Sequence, residues 1–205
     1  DEAEPVHAKV AGNNGKLYYK PANENSAMFY AGWPSPFPLS NISHVTITNL
    51  RLFGVSYELI SIAGGSGLVI RDSHIQWAGG MAIEVGHSGS NSGSLGAGLA
   101  GGLIENNTFH QCACGVYFVS MHTVQNSNDV TVRGNRFLDI DTENWYGNGD
   151  THAIGIQGGS RNVFEHNHID GAGGSGITFY QGPDNKDGLP PQEMHDNVVR
   201  YNLVM

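Results

Sequence analysis

The sequence predicts an all-β chain built as a solenoid of short strands, and three observations support this prediction. Glycine is abundant, at 29 of 205 residues, and only 14% of the residues are charged, a composition typical of turn-rich β proteins. Short apolar segments of two kinds recur along the chain. No amphipathic segment of helical length lies between them, so the strands are not joined by the crossover helices of an α/β sheet.

The first kind of segment predicts one strand corner in each coil. Each segment has six positions: the first and last are apolar, the second is usually charged, the fourth is usually asparagine, and the third and fifth vary. We expect the fourth position to form a buried ladder in which side-chain amides bond one another along the solenoid axis. The ladder residues are Ser73, Asn107, Asn135, Asn167 and Asn202, and a degenerate copy, ITNLRL, occupies residues 47–52.

The second position of the same segments alternates in charge. In a parallel stack these outward side chains would lie about 4.8 Å apart, so each acid is expected to lie between two arginines. Because the column is exposed, each ion pair contributes only modestly to stability. The column consists of Arg71, Glu105, Arg133, Glu165 and Arg200.

The second kind of segment follows about ten residues later and alternates strictly between apolar and other residues. A period of roughly 22 residues, with insertions, predicts five to six coils in a repeat architecture of this kind. The apolar residues of these strands are expected to face the core, and the alternate residues to face outward in two rows. One row is Ser61, Glu84, Tyr117, Gly155 and Thr178, and the next is Ala63, Gly86, Val119, Gln157 and Tyr180.

These repeats resemble the right-handed parallel β-helix of the pectate-lyase-like superfamily. The resemblance covers residues 41–205, and residues 1–40 are predicted to form an N-terminal extension or cap. The stretch NGKLYYKPANENSAMFYAG (14–32) is similar to the segment that precedes the solenoid in secreted bacterial β-helix proteins related to glycoside hydrolases. This resemblance implies glycan hydrolysis and a secreted or periplasmic location. The last strand, VVRYNLVM, looks unfinished, so further sequence or a partner chain is expected to cap the solenoid.

The charge balance narrows the class of ligand. The formal net charge is −9, with only 10 lysines and arginines, which disfavours a nucleic acid, an anionic membrane surface or a polyuronate as the partner. The sequence contains no run of 18 apolar residues, the length that would predict a membrane-spanning helix. A polysaccharide or oligosaccharide is the expected partner.

Insertions interrupt the repeat, and their positions predict a groove. From the ladder residue to the end of the next strand, the coils span 11 or 12 residues, except that the coil from 135 to 156 spans 21. The inserted segment, DTENWYGNGD (141–150), precedes one strand of the second kind, and longer insertions follow other strands of that kind. Loops on both sides of one sheet would form walls, and the outward rows of that sheet would form the floor.

Carboxylates and aromatic rings around this floor predict glycoside hydrolysis. Such a reaction needs two carboxyl groups, and sugar rings stack on aromatic side chains. Glu84 and Asp150 lie two coils apart, which corresponds to about 9.6 Å, nearer the separation of inverting than of retaining enzymes. The predicted catalytic residues are Asp150, Glu84, Asp141 and His152. The predicted substrate contacts are Tyr117, Trp145, Tyr146, Gln157, Tyr180 and His122.

Two other functions fit the same pattern. A polysaccharide lyase would use Tyr117 or His122 as the base, with Asp residues holding Ca²⁺. A non-catalytic glycan-binding or structural solenoid would carry the same residue types dispersed over its surface. No metal site is predicted, because the histidines at the groove edges lack a compact ligand spacing, and no cofactor is expected apart from Ca²⁺ in the lyase. The discriminating feature is whether two carboxyl groups and an aromatic ring converge in one place.

Overall fold

The described part of the protein is all-β. The computed structural model describes residues 28–29, 35, 37–55, 58–86, 97–119, 126–142, 151–180 and 194–205. Its regular elements are eighteen β-strands, and every strand pairing among them is parallel. No helix in the described ranges has the length and hydropathy needed to cross a membrane.

Each complete coil adds one strand to each of three sheets. Eleven strands form a continuous sheet that β5 (Ile60–Arg71) divides into two halves, which we call the first and second sheets. The first sheet contains β2 (Phe37–Ser43), the start of β5, β7 (Met81–Val85), β10 (Cys114–Phe118), β13 (His152–Gln157) and β16 (Ser175–Tyr180). The second contains β3 (Thr46–Thr48), the end of β5, β8 (Leu99–Glu105), β11 (Asn128–Arg133), β14 (Val163–Glu165) and β17 (Val198–Arg200). The third contains β1 (Met28–Phe29), β4 (Arg51–Val55), β6 (His74–Ala78), β9 (Thr108–His110), β12 (Arg136–Ile140), β15 (His168–Ala172) and β18 (Leu203–Val204).

The core is a set of apolar stacks inside the solenoid, and it confirms the predicted repeat. The predicted equivalents pair in register, so that Ile70 lies beside Ile104 and Val132 lies beside Phe164. Phe109 and Phe137 are fully buried and stack with their ring centroids 4.7 Å apart. Burial of a side chain of this size contributes about 1.5–3 kcal/mol, and repetition over successive coils stabilises the whole solenoid.

The asparagine ladder is confirmed at the corner between the second and third sheets. Asn135 Nδ2 donates to Asn167 Oδ1 (3.1 Å) and to the Ile104 carbonyl (2.9 Å), and its Oδ1 accepts from the Asn107 peptide nitrogen (2.9 Å). The same arrangement continues from Asn167 to Asn202. Each amide thus satisfies buried backbone groups that the turn would otherwise leave without partners.

The charged column beside the ladder is confirmed in position but not in its pairing. Glu105 pairs with Arg133 at 2.8 Å, and Glu165 pairs with Arg200 at 2.7 Å. Arg71 pairs with its neighbour Asp72 at 3.6 Å instead. Each acid does lie between two arginines in the strand register, as expected. Each carboxylate is nevertheless held by two nitrogens of only one guanidinium group.

A second asparagine ladder, which sequence analysis did not predict, lies ahead of the second-sheet strands. Asn162 Oδ1 accepts from the Val130 peptide nitrogen (2.9 Å), and Asn197 Oδ1 accepts from the Asn162 peptide nitrogen (2.9 Å). Asn128 Oδ1 accepts from the Ser160 peptide nitrogen (2.8 Å). Side-chain amides therefore satisfy the backbone at two corners of the coil.

The parallel pairing begins upstream of residue 41. Met28 lies beside Leu52, and Phe37 lies beside Ile60. Strands of the coil are thus already present at these positions within the segment 1–40.

Candidate functional site

The outward face of the first sheet carries three columns of side chains, two of which were predicted. The register places Glu84 beside Ser61 and Tyr117, and Gln157 beside Tyr180, which confirms the two outward rows. A further column precedes them because the alternation breaks once in each strand. We name them in chain order: column one is Glu58, Met81, Cys114, His152 and Ser175; column two is Ser61, Glu84, Tyr117, Gly155 and Thr178; column three is Ala63, Gly86, Val119, Gln157 and Tyr180.

The break in alternation has a structural cause. Ala82 and Ile83 are consecutive, yet both are fully buried in the core. The same is true of Ala153 and Ile154. The chain bends between such residues as it enters the first sheet, so the residue before each pair points outward, and His152 is one example.

Two carboxyl groups meet on this face. Glu58 and Glu84 are 1% and 3% exposed. Burial, a hydrogen bond to the Glu84 carboxyl and the charge of that group raise the pKa of Glu58 to about 9. Two carboxyl groups in such contact hold one proton between them at neutral pH, because ionising both would place like charges side by side. Glu58 is therefore the protonated member of the pair near neutral pH.

Two tyrosines and one glutamine form a hydrogen-bonded group beside the carboxyl pair. Gln157 Nε2 donates to the hydroxyls of Tyr117 (3.0 Å) and Tyr180 (2.9 Å), which also contact each other. Burial, and to a lesser extent the neighbouring Cys114, raise the pKa of Tyr180 to about 12. This phenol is therefore a hydrogen-bond donor near neutral pH rather than a base.

His152 is held by two hydroxyls of the next coil. Its Nδ1 lies 2.8 Å from Ser175 Oγ and 3.3 Å from Thr178 Oγ1. Its ring stacks on that of Tyr117, with centroids 6.1 Å apart. Gly155 makes this packing possible, since a Cβ there would lie 2.6 Å from a Tyr117 ring carbon and 2.9 Å from His152 Cδ2.

The columns also contain an apolar patch outside the core. Met81, Cys114, Tyr117 and Val119 are buried against one another, with Tyr180 packed beside them. This second apolar cluster shares its residues with the polar group, so aromatic faces and hydrogen-bonding atoms occupy the same surface. That combination suits a ligand with both apolar and hydroxyl surfaces.

Glu84, Tyr117, Gln157 and Tyr180 lie in the two outward rows, and His152, which was expected at the edge of the groove, lies beside them in column one. Asp141 is buried at the corner where the inserted segment leaves the third sheet; its peptide nitrogen donates to the Cys112 carbonyl at 2.9 Å. Asp150, Trp145, Tyr146 and His122 lie outside the described residues.

The central side chains of this face are buried. The exposed fraction is 3% for Glu84, 6% for Tyr117 and 3% for Gln157. A ligand can contact these side chains only after they become exposed. Tyr180 and Thr178 are half-buried and lie on the more accessible side of the cluster.

The three columns contain no lysine or arginine, and His152 is their one histidine. The described residues also contain no group of three or more His, Cys, Asp or Glu side chains arranged to hold a metal ion. The cluster therefore offers acids, hydroxyls, an amide and aromatic rings as its chemical groups.

Sequence analysis missed Glu58. This residue lies ahead of a segment with strict alternation, and extending that alternation backwards would point it inward. The signal available in the sequence was the pair Leu59–Ile60, two consecutive large apolar residues, which marks a bend where both face the core.

Comparison with known proteins shows the family. Residues 39–203 match the family model described as a right handed beta helix region. No curated protein and no solved structure matches the chain significantly. The match covers more than half of the chain and coincides with the coils described above. The chain therefore belongs to the right-handed β-helix family.

Proposed function

We propose that the protein is a carbohydrate-active enzyme, a glycoside hydrolase whose site is the outward face of the first sheet. The observation that carries this proposal is the convergence of two carboxyl groups, Glu58 and Glu84, with the aromatic ring of Tyr117 on neighbouring coils. Dispersed acids would have favoured a purely structural or binding solenoid. β-Helix domains are also common among carbohydrate-active enzymes.

The carboxyl pair supplies the proton that the leaving oxygen needs. Glu58 stays protonated at neutral pH because its pKa is raised to about 9, and a raised pKa suits a general acid. A hydrogen-bonded pair is closer than the roughly 5 Å that separates the carboxyl groups of retaining enzymes. We therefore assign Glu58 and Glu84 to one acid function rather than to both halves of the reaction.

The second carboxylate comes from the inserted segment in this proposal. In the sequence, Asp150 precedes β13 by two residues and Asp141 stands at the other end of the insertion. The strand β13 is two strands from β7, which carries Glu84. Two strand spacings correspond to about 9.6 Å, which lies near the separation at which inverting enzymes place a water molecule. His152 would orient the group that activates this water.

Substrate contacts are assigned to the half-buried Tyr180 and, once they become exposed, to Tyr117 and Gln157. Further contacts are assigned to Trp145, Tyr146 and His122 in the neighbouring segments. The absence of lysine and arginine from the three columns, together with the acidic pair, disfavours uronate sugars. The proposed substrate is a neutral complex polysaccharide or oligosaccharide. A secreted or periplasmic location, with neither nucleic acid nor membrane as a partner, belongs to the same proposal.

Product analysis tests this function. The protein is incubated with plant, algal and microbial glycans, with and without a chelator. New saturated reducing ends that are unaffected by the chelator and lost in Glu84→Gln would support hydrolysis. Products with an ultraviolet-absorbing double bond would indicate a lyase with Ca²⁺, and retention on a glycan without any product would indicate a binding solenoid.

A further inference from the structure

A second aromatic surface lies on the third sheet, on a different face from the proposed catalytic site. Phe53 and His74 are outward residues of β4 and β6, with ring centroids 5.7 Å apart. Trp77 packs beside Phe53 at 6.0 Å and is 46% exposed. Three rings on two adjacent coils therefore form an aromatic surface that solvent reaches.

Two glutamine amides hold this surface in place. Trp77 Nε1 donates to Gln111 Oε1 at 2.7 Å, and Gln76 Nε2 donates to the same oxygen at 3.3 Å. Gln76 Oε1 lies 3.2 Å from His74 Nε2. The Gln111 oxygen is thus used twice, and its amide nitrogen donates to none of the described residues, so it remains available beside the indole ring.

The repeat does not explain why tryptophan stands at this position. Equivalent residues of successive coils, 54, 77, 111, 139 and 171, all adopt positive φ, from 52° to 76°. Glycine occupies the first and last of these positions, and the left-handed conformation is costly for a bulky side chain, by roughly 1 kcal/mol. Trp77 adopts a backbone conformation that disfavours a bulky side chain, and the hydrogen bond to Gln111 fixes the orientation of its indole ring. Both observations indicate that this tryptophan serves a function other than stabilising the fold.

We propose that Phe53, His74, Gln76, Trp77 and Gln111 form a second carbohydrate-binding site, separate from the catalytic face. Exposed aromatic faces take the apolar C–H patches of sugar rings, and the Gln111 amide donates to a ring hydroxyl. The cluster contains no Asp, Glu, Lys or Arg side chain, so the ligand is a neutral glycan chain. Binding there does not depend on hydrolysis and is tested without it.

The test measures binding with the full chain in a Glu84→Gln background, so that the probes stay intact. Isothermal titration uses gluco-, xylo-, manno- and galacto-hexasaccharides, and deca-proline serves as a peptide probe because proline-rich segments also dock on aromatic surfaces. The variant is Trp77→Gly, since glycine already stands at positions 54 and 171 of the same column. Tyr201→Ala removes another exposed aromatic side chain and is the matched control.

We expect at least one hexasaccharide to bind, Trp77→Gly to weaken that binding about tenfold, and Tyr201→Ala to leave it unchanged. Thermal unfolding checks that both variants are folded. The proposal is overturned if no hexasaccharide binds, if the affinity is equal in Trp77→Gly, or if only deca-proline binds through Trp77. Cleavage assays with unmutated Glu84 report on the catalytic face alone, so the two proposals fail separately.

Discussion

The ladder corner and the first-sheet columns are both stacks of side chains from successive coils, but they follow opposite rules. At the ladder, Asn107, Asn135 and Asn167 repeat the same residue and the same hydrogen bonds. On the first sheet, column two changes chemical type at almost every coil, from Glu84 to Tyr117 to Gly155. Where every coil has the same backbone need, one residue type recurs. Where the residue changes with each coil, the backbone does not dictate it, and the side chains are available for function.

Substitution of a ladder asparagine is expected to have the largest effect on stability. Asn135→Ala removes partners from the Asn107 peptide nitrogen and the Ile104 carbonyl, both inside the solenoid. Leaving such buried groups unsatisfied should lower the free energy of unfolding by about 3 kcal/mol, measured by urea denaturation. Asn202→Ala is the comparison at a ladder residue that is only half-buried, and should cost less, about 1 kcal/mol. Equal losses would contradict the ladder's structural role.

A smaller effect on stability is expected at Gly155, a position of the first sheet with no room for a side chain. In Gly155→Ala the new Cβ would lie 2.6 Å from the Tyr117 ring and 2.9 Å from His152, so both rings must shift. We expect a loss of about 1–3 kcal/mol in unfolding free energy and a larger fractional loss of glycan cleavage than Ser61→Ala shows. Unchanged cleavage in Gly155→Ala would mean that the arrangement of these rings is not used in the reaction.

The carboxyl pair gives a pH-dependent prediction. The pKa of Glu58 is about 9 in the folded protein and ordinarily 4.5, so between these values the folded state holds a proton that the unfolded state has lost. Stability should therefore fall as pH rises through this window, by up to about 1.4 kcal/mol per pH unit. Glu58→Gln, which resembles the protonated acid, should flatten this slope in denaturation series from pH 5 to pH 9. An identical slope in the variant would show that Glu58 does not carry the shared proton.

Sequence analysis predicted the repetitive part of the molecule well, for a physical reason. The registers of Ile70, Val132 and Phe164 and the asparagine ladder follow from needs that recur in every coil, so they leave a periodic signal. The partner choice of Arg71 left no such signal, because an exposed guanidinium can turn to its own neighbour Asp72 as readily as to the next coil. Glu58 was missed because a single bend reverses the direction of all preceding side chains.

The matched pair of Glu84→Gln and Glu105→Gln tests the central claim most directly. Both substitutions replace an outward glutamate of the solenoid by its amide, but Glu84 belongs to the first sheet and Glu105 to the charged column of the second. We predict that Glu84→Gln lowers glycan cleavage by about 100-fold or more without lowering stability. Glu105→Gln should keep full cleavage and lose at most about 1 kcal/mol of stability. If both variants cleave equally well, or if both lose stability alike, the division between functional and structural columns is contradicted.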